Sequence, residues 1–344
     1  MATRGKFTSE EIYSQPDSWI KGIEVLKENT YAIQEFSQSG DYQQVIFTGC
    51  GSTYYLSCAA AAIFQEMTGV YARGLPASEL WLSPQSYHLL SDRTTLIPIS
   101  RSGKTTETLQ ACKAFRNKSG GRILTFVCDP DSPLTNFGTL NLTFPSGMEK
   151  SIAQTRAFST LYLGVIGLCA IWSGQTELFN QLSSLPLVGT RILDNCSSVA
   201  KLHGSNLELD RIYFLGSGGR YGLACELNLK MKEMSLTHSE AFHFLEFRHG
   251  PKAMVNKNTL VVGLVSEISA VHELSVLKDI QDLGAKIITV GENNTDISFN
   301  SGLEEVIRNI LYLPFGQMMA YERSIAKGLD PDRPTNLDSV VKLS

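Results

Sequence analysis

Glu226, Lys230 and Glu233 recur at intervals of four and three residues within GSGGRYGLACELNLKMKEMSLTHSEAFHFLEFRHGP, the stretch from Gly216 to Pro251. That spacing predicts a helix: at about 100° per residue the three charges share one turn-wide stripe. Leu223, Leu227, Met231 and Met234 form the apolar stripe beside it. One stripe packs, and the other presents two carboxylates and an ammonium. His249, just before Gly250 and Pro251, adds a group that titrates near neutral pH, so these residue types suit proton transfer. A solvated helix face with a Glu–Lys pair at i, i+4 has the same pattern, and His249 alone would be an ordinary loop histidine. His238 and His243 lie between the helix and His249, where either could serve as a hydrogen-bonding partner; His88, His203 and His272 have no motif around them.

A second cluster lies earlier. Ser100-Arg101-Ser102-Gly103-Lys104-Thr105 follows a β-branched run and opens a helical pattern. Hydroxyls, free amide N–H groups and the positive end of a helix dipole converge there, which makes an anion site, most simply for phosphate. Ser100, Ser102 and Thr105 could equally be helix caps; Arg101 and Lys104 favour the anion. Gly49-Cys50-Gly51-Ser52-Thr53 is another glycine turn after a strand, expected beside the serine loop on the same sheet edge. Cys50 reads as a small packing residue lending backbone N–H groups rather than as a nucleophile.

The elements that must position these residues come in two copies. VIFTGCGSTYYLSC (Val45 to Cys58) and IYFLGSGGRYGLAC (Ile212 to Cys225) match at an offset of 167. At nearly the same offset TLIPISRSGKTTETLQACKAF faces LVVGLVSEISAVHELSVLKDI, with Ser100 over Ser266 and Glu107 over Glu273. The second copy has no glycine in SEISAV and carries Glu267, so one phosphate site per chain is expected. In both halves short β-branched runs (VIFTG, TLIPIS, RILTFV; RIYFLG, TLVVGLV, KIITVG) alternate with helical patterns. The fold class is therefore α/β, two similar doubly wound lobes of parallel sheet with ligands beyond the carboxyl ends of the strands. The expected layout is a helical lead-in over 1–40, a phosphate-binding lobe over 41–174 and a helical connector over 175–208. A lobe bearing the charged helix over 209–326 and an extended tail over 327–344 complete it.

Composition narrows the class. Hydrophobic content of 43% and charged content of 19% describe an ordinary globular chain. The net charge of −4 comes without a basic block, which disfavours nucleic acid. The seven cysteines are scattered without a CxxC pair or clustered histidines, against a zinc site or a disulfide scaffold and in keeping with a reducing cytoplasm. The N-terminal MATRGKFTSEEIYSQPDSW has no signal-peptide core, and the most apolar stretch, Ala157 to Trp172, is shorter than the roughly 20 residues of a membrane span. No membrane association is expected.

Taken together these motifs resemble the sugar isomerase (SIS) family, in the branch that holds the isomerase half of glucosamine-6-phosphate synthase and the aminosugar-phosphate deaminase/isomerases. The resemblance runs from EIYSQP (Glu11 to Pro16) to the tail, and ELNLKMKE…EFRHGP is its most specific part. It implies that Cys50, Gly51, Ser52 and Thr53 contact sugar and phosphate, that Ser100, Arg101, Ser102 and Thr105 bind the phosphate, and that EKSIAQTRAF lines the substrate with Ala153 and Gln154. It implies Glu233 as the base moving a proton between C1 and C2, Lys230 as its neighbour assisting hydroxyl protons, Glu226 as a binding or orienting group, and His249 as the group that opens the pyranose ring. It further implies a homodimer in which this histidine enters the partner's site, a 6-phosphosugar as the small-molecule ligand, and no metal or organic cofactor.

Two departures narrow the implied activity. The second residue is Ala2 rather than the synthase's cysteine nucleophile and the chain has no room for a glutaminase domain, so no ammonia from glutamine is expected. The synthase's tail places a Schiff-base lysine shortly after an Asn-Leu pair; here Asn336-Leu337 is followed by Asp338-Ser339, which puts Ser339 in the lysine's place, with Lys342 three residues on. Gln154 and Arg101 stand where the synthase has a serine and a glutamine, so sugar specificity is expected to differ. The resulting expectation is deamination of a hexosamine 6-phosphate, with glucosamine 6-phosphate ahead of galactosamine 6-phosphate. The alternatives are a fructosamine-6-phosphate deglycase or another ketose/aldose phosphate isomerase, and, from a different class, a non-catalytic phosphosugar sensor. Whether the tail covers its own site or a neighbour's stays open.

Overall fold

The computed structural model describes residues 4–40, 42–87 and 93–338; Ala2, His88, Ser339 and Lys342 lie outside the described residues. The chain folds into two compact units, and each is a parallel α/β layer structure.

One unit is built from Gln15–Glu149 and Arg156–Ser184. Its strands are β1 (Gln44–Gly49), β2 (Tyr71–Pro76), β3 (Thr94–Ser100), β4 (Arg122–Val127) and β5 (Leu140–Thr143), all parallel in the order β2-β1-β3-β4-β5. Every residue of β3 is buried, which is why TLIPIS reads as a run rather than as an alternation. One sheet face packs Ile46, Leu96, Ile123 and Val127 against Ala111, Cys112 and Phe115 of the helix Thr106–Lys118. The helix Arg156–Trp172, the most apolar of the sequence, is buried through Ile171. The strand order reverses between β1 and β3, and the crevice beyond their carboxyl ends is the expected ligand position.

The other unit comprises the chain up to Ser14, Lys150–Thr155 and Leu185–Leu337. Its strands are β6 (Arg211–Leu215), β7 (Ser239–Phe242), β8 (Thr259–Leu264), β9 (Lys286–Gly291) and β10 (Ile297–Ser298), parallel in the order β10-β9-β8-β6-β7. Read from the opposite edge this is the first sheet's order again, so the sequence repeat is a repeat of topology.

Lys150–Thr155 sits in the unit of the charged helix although it follows β5 in sequence. Its backbone explains why. The Glu11 carboxylate accepts the N–H groups of Lys150 (2.6 Å) and Ser151 (3.3 Å) and the Ser151 hydroxyl. Ile152 N–H donates to Asp332 O at 3.2 Å, and Gln317 Nε2 donates to Thr155 O at 3.3 Å. Glu11 is itself placed by Asp332, whose carboxylate accepts from Phe7 N–H (3.1 Å), Thr8 N–H (2.7 Å) and Thr8 Oγ1 (2.8 Å). The helix Lys6–Tyr13 begins at Gly5, which has no side chain to cap it, so an aspartate more than three hundred residues away satisfies its first N–H groups.

Candidate active site

The charged helix spans Gly219–Ser235. Leu223, Leu227, Met231 and Met234 are buried, as the apolar stripe requires, but Glu226 and Lys230 are buried too, with side chains 0% exposed. The alternative of a solvated helix face does not hold for Glu226 and Lys230. This helix is enclosed on both sides, one of them by the helix Leu313–Ala326. Gly316 permits that approach, because a Cβ there would lie 2.7 Å from a Leu227 methyl carbon.

Inside this packing Lys230 Nζ stands 3.2 Å from Glu226 Oε1 and 2.5 Å from Glu233 Oε2. Burial by itself would push the ammonium's pKa down; the two carboxylates outweigh it, and the pKa is raised above 10.5. Lys230 is a fixed positive charge at neutral pH, unsuited to attack a carbonyl as a free amine. Of the three, only Glu233 reaches solvent, with 20% of its side chain exposed. One accessible carboxylate, hydrogen-bonded to a buried cation that a second carboxylate balances, can exchange a proton with a bound ligand without leaving a net buried charge.

The end of the helix is fixed from outside. Leu236 terminates it in the left-handed region with φ 48°, a costly conformation for a residue with a Cβ. Lys327 Nζ donates to Ser235 O at 2.9 Å and Leu236 O at 3.3 Å, and Arg323 Nε donates to Thr237 Oγ1 at 2.7 Å. These cations also oppose the negative end of the helix dipole.

His249 closes a short 3₁₀ turn, its N–H donating to Glu246 O at 3.0 Å, and precedes Gly250 with φ 133°. Its side chain is exposed and makes no hydrogen bond or ion pair to Glu226, Lys230 or Glu233 among the described residues. His243 stacks on Tyr221 with ring centroids 3.9 Å apart, and burial lowers its pKa.

In the other unit both predicted ligand loops leave adjacent strands. β1 and β3 run parallel with Thr48 opposite Pro98, so Cys50–Thr53 and Ser100–Thr105 emerge side by side, and Cys50 Sγ lies 3.5 Å from Thr108 Oγ1. Burial, with Glu107 adding to it, pushes the Cys50 thiol up to about 11 even though Thr108 hydrogen-bonds it; this is a packing cysteine. Thr53 Oγ1 accepts from Cys50 N–H at 2.9 Å and fixes the first turn. Ser100 Oγ accepts from Gly103 N–H at 3.0 Å and Ser102 Oγ from Lys104 N–H at 3.2 Å. Gly103 has φ 61°, and a Cβ on it would lie 2.1 Å from Ser132 Oγ, so only glycine fits. The two cations expected to draw an anion are already balanced: Arg101 pairs with Glu149 at 3.3 Å in the interior, and Lys104 pairs with Asp129 at 2.8 Å. Ser102 and Thr105 remain partly exposed at the opening of the helix Thr106–Lys118.

The matching place in the unit of the charged helix holds protein cations instead. Arg220 NH2 pairs with Glu273 Oε1 at 2.9 Å and its NH1 donates to Leu264 O at 2.6 Å; Arg308 NH2 meets Glu267 Oε2 at 2.6 Å. What remains is an open pocket of about 270 Å³ lined in part by Ser266, Glu267, Glu292 and Asn293. Arg220 escaped the sequence reading, although overlaying the halves exposes it: it stands where the first copy has Thr53.

Ala153 is buried and Gln154 half-buried, on the segment that Glu11 and Gln317 tie down; Gln154 Oε1 is enclosed with no hydrogen-bond partner among the described residues. The structure thus brings Glu226, Lys230 and Glu233 into direct contact and sets Cys50–Thr53 beside Ser100–Thr105. Ser339 lies outside the described residues.

Comparison with known proteins fits this geometry. The SIS domain model matches residues 41–165 and 208–301, well over half of the chain and one segment in each copy of the repeat. The chain belongs to the SIS domain family. A glutamine–fructose-6-phosphate aminotransferase from Methanothermobacter thermautotrophicus is 28% identical to this SIS chain over 355 aligned positions, covering 99% of it and 58% of the relative. The SIS chain spans just over half the length of the curated relatives it matches. A crystal structure described as glucosamine-6-phosphate deaminase from Thermotoga maritima superimposes with TM-score 0.81 at 28% identity, covering 98% of the SIS chain and 100% of that chain. Tagatose-6-phosphate ketose/aldose isomerase from Escherichia coli shares the fold with TM-score 0.85 at 22% identity, with 98% of each chain covered. Among the described residues no helix of this SIS protein is long and apolar enough to cross a membrane, and no group of three or more His, Cys, Asp and Glu could hold a metal ion.

Proposed function

We propose that this chain is a hexosamine-6-phosphate deaminase/isomerase that turns glucosamine 6-phosphate and water into fructose 6-phosphate and ammonia. The observation that carries the reading is the Glu226–Lys230–Glu233 arrangement, in which the one accessible carboxylate is hydrogen-bonded to an enclosed, permanently charged ammonium. Ser102, Thr105 and the adjoining N–H groups hold the phosphate, with Cys50–Thr53 beside them. His249 protonates the ring oxygen as the O1 proton leaves, giving the open-chain aldehyde. Glu233 removes the proton from C2 and returns it to C1, O1 takes up a proton as the amine nitrogen gives one up, and the enclosed Lys230 ammonium stabilises the developing negative charge through space. The product is the C2 imine; water adds to that carbon, the C–N bond breaks and ammonia departs. Ala153 and Gln154 line the sugar. We further propose that His249 acts in a second copy's site, a role its exposed position supports.

The similarity to the Thermotoga deaminase over nearly the full chain supports this reading. Incubating the purified protein with glucosamine 6-phosphate and with galactosamine 6-phosphate, and measuring ammonia and ketose 6-phosphate, tests it. Ammonia release from glucosamine 6-phosphate is expected; none from either sugar overturns it. A second reading, ketose/aldose phosphate isomerisation, is favoured by one observation: the three side chains account for the C1–C2 proton transfer, whereas no described residue is assigned to activating water. Interconversion of fructose or tagatose 6-phosphate with its aldose, without ammonia, would select it.

A further inference from the structure

The two copies of the repeat treat one carboxylate differently. Glu107, in the first turn of the helix Thr106–Lys118, is matched by Glu273 in the first turn of the helix Ala270–Asp282. Glu273 is saturated. It accepts from Arg220 NH1 at 3.0 Å, from Ser266 N–H at 2.8 Å and from Ser269 Oγ at 2.8 Å. Both side-chain donors are missing around Glu107. At the repeat's offsets Thr53 replaces Arg220 and Gly103 replaces Ser269. Thr53 is too short to substitute and its hydroxyl is engaged with the Cys50 backbone; Gly103 has no side chain, and none would fit. Glu107 Oε2 is buried and has no hydrogen-bond partner among the described residues. Its neighbour Thr108 meets the Cys50 thiol at 3.5 Å, which places Glu107 near the first glycine turn.

An enclosed carboxylate oxygen without a donor is disfavoured, and a donor brought by water or a ligand would stabilise it. The opening of the same helix is the proposed phosphate position. A second negative charge next to a phosphate opposes binding, unless the ligand also brings a donor to that carboxylate. We propose that Glu107 accepts a hydrogen bond from a hydroxyl of the bound sugar phosphate, near its phosphate end, and so selects polyhydroxylated phosphates over phosphate alone. The inference rests on the phosphosugar reading given above. Thr53, on this account, leaves Glu107 without the guanidinium that Arg220 gives Glu273 in the other copy.

Calorimetric titration with sorbitol 6-phosphate, an open-chain polyol that cannot react, and with inorganic phosphate tests it on the wild type, Glu107→Gln and Glu107→Ala, each checked for an unchanged melting curve. Glu107→Ala is expected to weaken sorbitol 6-phosphate about tenfold or more, and to leave inorganic phosphate unchanged or tighter. Glu107→Gln, which keeps the shape and one acceptor, should fall between. Equal weakening of both ligands in both variants would mean that Glu107 only props the loops, and unchanged affinity for sorbitol 6-phosphate would mean that it touches no ligand; either overturns the proposal. A wild type that binds no sugar phosphate overturns the phosphosugar reading itself.

Discussion

Lys230 Nζ lies 2.5 Å from Glu233 Oε2, although the lysine is wholly enclosed and the glutamate reaches solvent. The pair is asymmetric by construction: the ammonium cannot move, and the carboxylate can meet a ligand. Glu226, 3.2 Å away on the previous turn, keeps the enclosed charge balanced whenever Glu233 takes up a proton.

Replacing Glu233 by glutamine removes the proposed base and keeps its volume. Ammonia release should fall about 10²–10⁴-fold in kcat with KM little changed. His249→Asn should be impaired as well, and co-refolded mixtures of the two variants should regain about a quarter of wild-type activity if each site takes its histidine from the other subunit, since half of random pairs carry one intact site. No recovery in a mixture shown to contain mixed dimers would confine His249 to its own subunit.

Removing the lysine tests the charge balance. Lys230→Met leaves Glu226 enclosed without its cation and should cost about 3–5 kcal/mol in urea unfolding, whereas Lys230→Met combined with Glu226→Gln should recover most of that loss. The pH dependence has a definite sign. The folded pKa of Lys230 is raised, so its contribution is complete below 10.5 and is lost only as pH climbs through the still higher folded value. The stability difference between wild type and the double variant should be flat from about pH 6 to about pH 9. A slope in that window would show that the ammonium is not held protonated.

Leu236 offers a change that touches no proposed chemistry. It is 54% exposed and sits at φ 48°, so Leu236→Gly gives up little packing and relieves the left-handed strain. A gain of about 1 kcal/mol, read as a higher melting temperature, is expected. A lower melting temperature would show that its side chain packs more than its exposure suggests.

The six strands that the sequence announces, beginning with VIFTG and TLIPIS, are the interior strands of the two sheets. The four it hides, β2, β5, β7 and β10, are all edges. An edge strand is covered less and can be short or carry Gly and Pro, as YARGLP and SEAF do, so no apolar run marks it. The charged stripe was legible as a cluster but not as an interior one, because a Glu–Lys pair at i, i+4 has the same spacing on a wet face and in a dry one. The internal repeat carried more. It located both glycine turns and the serine loop, and a residue-by-residue overlay exposes Arg220 and the different surroundings of Glu107 and Glu273. What it could not carry was the placement of Lys150–Thr155, which depends on Glu11 and Asp332, residues remote in sequence that meet only after folding.

That excursion of six residues makes the two halves of the duplication inseparable by cutting. A fragment beginning at Leu185 would keep Asp332 and Gln317 but lose the helix and the backbone they grip, and a fragment ending at Glu149 would surrender the apolar helix Arg156–Trp172. A gene for either lobe alone would need the chain rejoined in a new order, with a linker wherever the path now crosses over.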